Sequence, residues 1–75
     1  MGLLLDKKPC LIVGGGKVAQ HKLGLLLDAK ADITVISPAA EEEILRLAAN
    51  QTIRHIPREF TEADLEGAYL VMAAT

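Results

Sequence analysis

The sequence predicts an α/β domain built as half of a doubly wound fold: a four-stranded parallel sheet, strand order 3-2-1-4, with helices on both faces. Three observations lead there. Apolar runs of strand length alternate with helical patterns in the order β-α-β-α-β-α-β, which implies parallel strands joined by right-handed crossovers. The first run, Leu11-Ile12-Val13, is apolar on both faces, as the interior of a parallel sheet requires. Three glycines, Gly14-Gly15-Gly16, follow it at once and lead directly into a helical pattern.

Each element has its own justification. The first strand starts near Cys10 and ends at Val13. The first helix is expected over 18–29, where Ala19, Leu23, Leu26 and Leu27 recur at i, i+3 and i+4 spacing and form one apolar stripe. Asp32–Ile36 is β-branched and apolar and reads as the second strand. Ser37-Pro38 is expected to open the second helix, with Ser37 as cap and Pro38 at the first helical position. Glu41, Glu42 and Glu43 then lie near the positive end of the helix dipole, a solvated helix start rather than a metal site. Ala40, Ile44, Leu47 and Ala48 supply the buried stripe, and Asn50 the terminator.

The third strand is expected over 52–56, ended by Pro57; its imperfect alternation suits a strand near an edge. Thr61 with Asp64 three residues on resembles a capping box with Asp in place of Glu, and the short helix it starts stops at Gly67. The last strand, over 69–73, leads into the small residues Ala73, Ala74 and Thr75.

Composition bounds the function. The 75 residues make one small domain over 1–75, with 51% apolar residues to form a core and only Phe60 and Tyr69 as aromatics. The net charge is −2, and no basic patch with interleaved aromatics points to nucleic acid. No stretch reaches transmembrane length, so no membrane partner is expected. Cys10 is the only cysteine, which excludes an internal disulfide and a cysteine-based metal cluster. A buried, inert thiol in a reducing cytoplasm fits it. His21 and His55 have no second ligand at i+3 or i+4 and no recognisable base partner, so neither a metal site nor a catalytic residue is assigned.

The glycines carry the chemistry. A backbone can approach a phosphate closely only where no Cβ intrudes, and a helix N-terminus supplies free N–H donors and partial positive charge. The pattern Gly14-x-Gly16-x-x-Ala19, after a strand and before a helix, is the dinucleotide fingerprint of a Rossmann-like half. The expected ligand is a dinucleotide such as NAD. In the order 3-2-1-4 the switch point lies between strands one and four, so 14–18 and 73–75 should face one another across a crevice.

Leu11-Ile12-Val13-Gly14-Gly15-Gly16-Lys17-Val18-Ala19 with Lys22, the helix Leu25-Leu26-Leu27, the strand pair Thr34-Val35 and the ending Leu70-Val71-Met72-Ala73-Ala74-Thr75 closely resemble the N-terminal domain of siroheme synthase. The resemblance runs from about Leu4 to Thr75. That family comprises precorrin-2 dehydrogenases, many of them also sirohydrochlorin ferrochelatases. The resemblance implies NAD-dependent oxidation of a tetrapyrrole, precorrin-2, to sirohydrochlorin, followed by iron insertion. It also implies a homodimeric parent whose later part holds the catalytic carboxylate and much of the tetrapyrrole pocket, with this chain a truncated nucleotide-binding half, inactive or nearly so alone.

Carried over by resemblance, Gly14, Gly15, Gly16, Lys17 and Val18 meet the pyrophosphate, Ser37, Pro38 and Ala39 meet the adenosine ribose, and Ala74 and Thr75 border the nicotinamide end. The Lys17 side chain is expected in solvent rather than on phosphate. There are departures. Ser37-Pro38 stands where an NAD site usually carries an acid for the ribose 2′-hydroxyl, so NAD over NADP rests on the resemblance alone. Ala29-Lys30-Ala31 stands where the family often has glycine; a positive φ at Lys30 costs on the order of 1 kcal/mol. The lead over 1–8 is a few residues shorter than the family's usual one.

Two other readings compete. A non-enzymatic NAD-sensing module, like the regulatory domains of potassium uptake systems, shares the turn but typically carries the acid that is missing here. A scaffold that binds nothing is the other: without a second half the flank of the fourth strand is an open edge, and self-association is expected of it.

Overall fold

The computed structural model describes residues 6–74; residues 1–5 and Thr75, expected to border the nicotinamide end, lie outside the described residues. Four strands, β1 (Pro9–Val13), β2 (Asp32–Ile36), β3 (Arg54–Ile56) and β4 (Leu70–Ala73), form one sheet in the order β3-β2-β1-β4. All three pairings are parallel. Two α-helices, α1 (Lys17–Asp28) and α2 (Glu42–Ala49), and a 3-10 turn (Glu62–Leu65) connect them. The central strand β1 sets Ile12 opposite both Val35 and Met72.

The period-two alternation of the strands sorts their side chains between two faces. Cys10, Ile12, Ile33 and Val35 face the helices and pack with Ala19, Leu23 and Leu26 of α1, Ile44 of α2, and Ile53. Ile12, Ala19, Val35 and Ile44 are fully buried there. The second face carries Leu11, Thr34 and Ile36, which line a pocket together with Asp64 of the 3-10 turn and with Glu66 and Gly67 just after it. Val71, opposite Leu11 on this face, is exposed. Helical structure thus lies on both faces, but both α-helices share one of them.

Beyond one-residue shifts at the ends of β1, α1 and β4, the structure departs from the sequence reading in three places. Helix α2 starts at Glu42 with Glu41 as its cap, not at Ser37-Pro38. The Ser37 hydroxyl is buried and donates to the Ala39 carbonyl at 2.7 Å, and the Glu41 N–H donates to the Gly15 carbonyl at 2.8 Å. Residues 37–40 are therefore a bend laid against the glycine turn. Strand β3 begins at Arg54 rather than Thr52, because the Thr52 N–H still belongs to the end of α2, donating to the Leu47 carbonyl at 2.9 Å. The third helix is a single 3-10 turn; its capping box from Thr61 and Asp64 is present as expected.

Both α-helices close with paired bonds around a left-handed residue. At the end of α1, Lys30 N–H donates to Leu27 and Ala31 N–H to Leu26, with Lys30 at φ 60°. At the end of α2, Gln51 N–H donates to Ala48 and Thr52 N–H to Leu47, with Gln51 at φ 63°. Asn50 caps α2, but Gln51 makes the turn. Among the described residues no helix is long and apolar enough to cross a membrane.

Candidate functional site

The carboxyl ends of β1, β2 and β4 meet at the glycine turn. Gly14 N–H donates to the Ile36 carbonyl at 3.0 Å, and Ala74 N–H donates to the Val13 carbonyl at 2.9 Å. The junction of β1 with the turn is thereby tied to β2 through Gly14 and to the end of β4 through Val13. The three glycines answer different demands. Gly14 sits at φ 120°, and a Cβ there would stand 2.7 Å from the Ala74 carbonyl oxygen. A Cβ on Gly15 would strike the Ala39 carbonyl oxygen and stand 2.5 Å from Ser37 Oγ and 2.8 Å from Ala40 Cα. Gly16 is the opposite case: φ is −89°, which any residue adopts, and a Cβ would meet nothing within 4 Å.

Gly16 is also the N-cap of α1. It offers no side-chain cap, and the first turn of the helix holds no acidic residue. The opening N–H groups of α1, those of Lys17 and Val18 among them, therefore lack a side-chain acceptor and point where an anion is favoured. Lys17 is 89% exposed, with its ammonium 3.7 Å from the Glu41 carboxylate. Such an exposed pair contributes little.

Ser37 is the one buried polar residue of the described core. Its hydroxyl proton goes to the Ala39 carbonyl, and His55 Nε2 lies 3.3 Å from Ser37 Oγ and 3.1 Å from the Ser37 carbonyl. Both of those oxygens act as acceptors, so Nε2 carries the proton and donates to them. His55 is thus a half-buried histidine that braces the bend after β2. His21 is exposed on α1. Burial, helped by the Asp32 charge, pushes the Cys10 thiol pKa up, away from reactivity. Among the described residues no group of three or more His, Cys, Asp or Glu is placed to hold a metal.

Beside the turn lies an open cleft of about 270 Å³. Glu59 and Phe60 line it together with Val13, Gly14, Ile36, Ser37 and Pro38. Neither Glu59 nor Phe60 is visible as a site residue in the sequence pattern. The available signal is topological: 59–60 follow the carboxyl end of the third strand, on the same edge of the sheet as the glycine turn. The sequence-predicted residues Gly14, Gly15, Gly16, Lys17, Val18, Ser37, Pro38, Ala39 and Ala74 all lie along that edge. Ala74 is buried with its carbonyl toward Gly14.

Comparison with known proteins shows the family. The sequence model of the family described as "Putative NAD(P)-binding" matches residues 2–75. The chain belongs to that NAD(P)-binding family. It is 54% identical over 71 residues to Siroheme synthase 1 of Aeromonas salmonicida, covering 95% of this chain and 15% of that protein. It is 53% identical over 73 residues to siroheme synthase of Methylococcus capsulatus, covering 97% and 15%. Among solved structures, SirC, a precorrin-2 dehydrogenase, superposes with a TM-score of 0.90 at 31% identity, over 95% of this chain and 36% of SirC. The chain therefore spans a small part of the length of the relatives it matches, and with SirC it shares the Rossmann-like half.

Proposed function

We propose that this NAD(P)-binding domain is the NAD-holding part of a precorrin-2 dehydrogenase that acts in siroheme formation. Gly16 carries the reading. The fold itself explains Gly14 and Gly15, whose side-chain space is taken by Ala74 and by the bend at 37–40. It does not explain Gly16, whose backbone is ordinary and whose side-chain space is open. A position kept free of Cβ at an uncapped helix start is what a pyrophosphate needs. The turn residues fit the cofactor on that observation.

In this reading the N–H groups of Gly15, Gly16, Lys17 and Val18 receive the pyrophosphate, and the opening dipole of α1 offsets its charge. The bend at Ser37, Pro38 and Ala39 positions the adenosine ribose, and Ala74 borders the nicotinamide. When bound, the cofactor supplies a hydride acceptor for the oxidation of the tetrapyrrole. The protein's task at this edge is to hold and orient it. The family's second reaction, iron insertion, and the dimer contacts belong in this reading to the part of the relatives that the chain does not span.

An amide-resolved NMR titration with NAD tests it, on the native chain and on Gly16→Ser. Saturable shifts confined to 14–18 and 37–39, lost in a folded Gly16→Ser, are expected. An absence of shifts at millimolar NAD in a folded sample overturns the assignment.

A further inference from the structure

At the carboxyl end of β2 neither Ser37 nor Pro38 offers an acidic side chain to the hydroxyls of an adenosine ribose. Ser37 is buried with its hydroxyl committed to the Ala39 carbonyl and His55, and Pro38 has neither N–H nor acid. Glu59 lines the same cleft from the connection after β3, with Phe60 beside it. Glu59 is exposed, and among the described residues its carboxylate forms no ion pair. The adjacent cation does not neutralise it: Arg58 is engaged by Asp64, with Nη1 2.9 Å from Oδ2.

The backbone that presents Glu59 is held from three sides. Arg58 N–H donates to the Ile56 carbonyl at 2.9 Å, and Arg58 Nη1 donates to the Glu59 carbonyl at 3.0 Å. Asp64, which holds the guanidinium, also accepts from Thr61 N–H at 2.7 Å. A loop fixed this way can act as a wall. Phe60 is the chain's only phenylalanine, and it lies half-buried on the cleft with Val13, Ile36 and Pro38, an apolar lining suited to a flat heteroaromatic base.

We propose that Glu59 is the specificity-determining acid of this site, accepting the adenosine ribose hydroxyls in place of the acid missing after β2, and that Phe60 walls the adenine. The inference rests on the nucleotide reading above. A carboxylate at this place accepts hydrogen bonds from a 2′,3′-diol. It repels a 2′-phosphate, which adds charge and removes a donor. The site thereby takes NAD and refuses NADP by means of a residue from the third strand's connection.

The test is a set of Kd measurements for NAD and for NADP on the native chain, Glu59→Gln, Glu59→Lys and Phe60→Ala, with each fold checked by its amide spectrum. The native chain is expected to prefer NAD by about tenfold or more. Glu59→Gln should bring that ratio close to one, Glu59→Lys should reverse it, and Phe60→Ala should weaken both dinucleotides alike. An unchanged ratio in Glu59→Gln, or a native preference for NADP, overturns the role of Glu59 and leaves the nucleotide site standing. A native chain that binds neither dinucleotide overturns both.

Discussion

Three consecutive glycines occupy one turn, yet two of them look inward and one looks outward. Gly14 and Gly15 are pressed against protein, the first on the Ala74 carbonyl and the second on the bend at 37–40. Gly16 faces open space with a backbone conformation that most residues adopt. A glycine-rich turn is thus two devices in series, one that closes the fold and one that keeps a surface clear. The fingerprint in the sequence does not separate them; only the surroundings of each missing Cβ do.

The largest effects should fall on the inward pair. Gly15→Ala places a Cβ against three atoms of the 37–40 bend, two of them backbone. Gly14→Ala adds positive-φ strain to a clash with a backbone carbonyl. Each should cost about 3 kcal/mol, from overpacking that the backbone cannot relieve. In a domain this small that is a large share of the total stability. Thermal or urea unfolding measures it. A wild-type midpoint for either variant would show that the bend and the turn separate easily, and the distinction drawn here would fail.

The outward glycine should behave in reverse. Gly16→Ser gives α1 the side-chain cap it lacks and reduces the freedom of the unfolded chain, so stability should rise by a few tenths of a kcal/mol. The same hydroxyl and Cβ fill the space reserved for phosphate, and NAD affinity should fall by at least about tenfold. Unfolding midpoint and Kd, measured together, must move in opposite directions. A variant that loses both would mean that Gly16 serves the fold after all.

The sequence was most legible where one local rule met no competitor. The apolar runs located all four strands, and their alternation with helices, with the glycine turn placed after the first strand, gave the order 3-2-1-4. Ser37 was misread because a serine before proline satisfies a helix-cap rule equally well, and nothing local shows that its hydroxyl is taken by Ala39 and His55 from another strand. Glu59 and Phe60 were illegible for the same reason: their meaning lies in the cleft they share with Gly14 and Pro38, which no spacing along the chain encodes.

A smaller effect tests the loop that carries Glu59. Bonds from Arg58 and from Thr61 hold the Asp64 carboxyl well below its ordinary pKa of 3.8. A depressed folded-state pKa means the native state binds that proton less readily than the unfolded state. Asp64 then contributes stability above the ordinary value and loses it as pH falls from there through the folded value. The unfolding midpoint of native protein should exceed that of Asp64→Asn by a constant margin above about pH 5, and the margin should shrink below about pH 4. A margin independent of pH would assign the effect to capping geometry rather than to charge.

Lys30 supplies the smallest and most pointed test, because it is the mirror image of Gly16. Here the fold demands a left-handed residue, at φ 60°, and the sequence does not provide glycine. The conformation is imposed by the paired bonds that end α1, from Lys30 to Leu27 and from Ala31 to Leu26. Lys30→Gly relieves a Cβ penalty on the order of 1 kcal/mol, and the added freedom of the unfolded chain returns part of it. The expected net gain is about 0.5 kcal/mol, read as a small rise in the unfolding midpoint. Lys30→Ala separates the cause. It removes the charge but keeps the Cβ, so its midpoint should match the native protein. If alanine stabilises as much as glycine does, the gain comes from charge and not from the backbone, and a positive φ alone would no longer mark where this fold requires glycine.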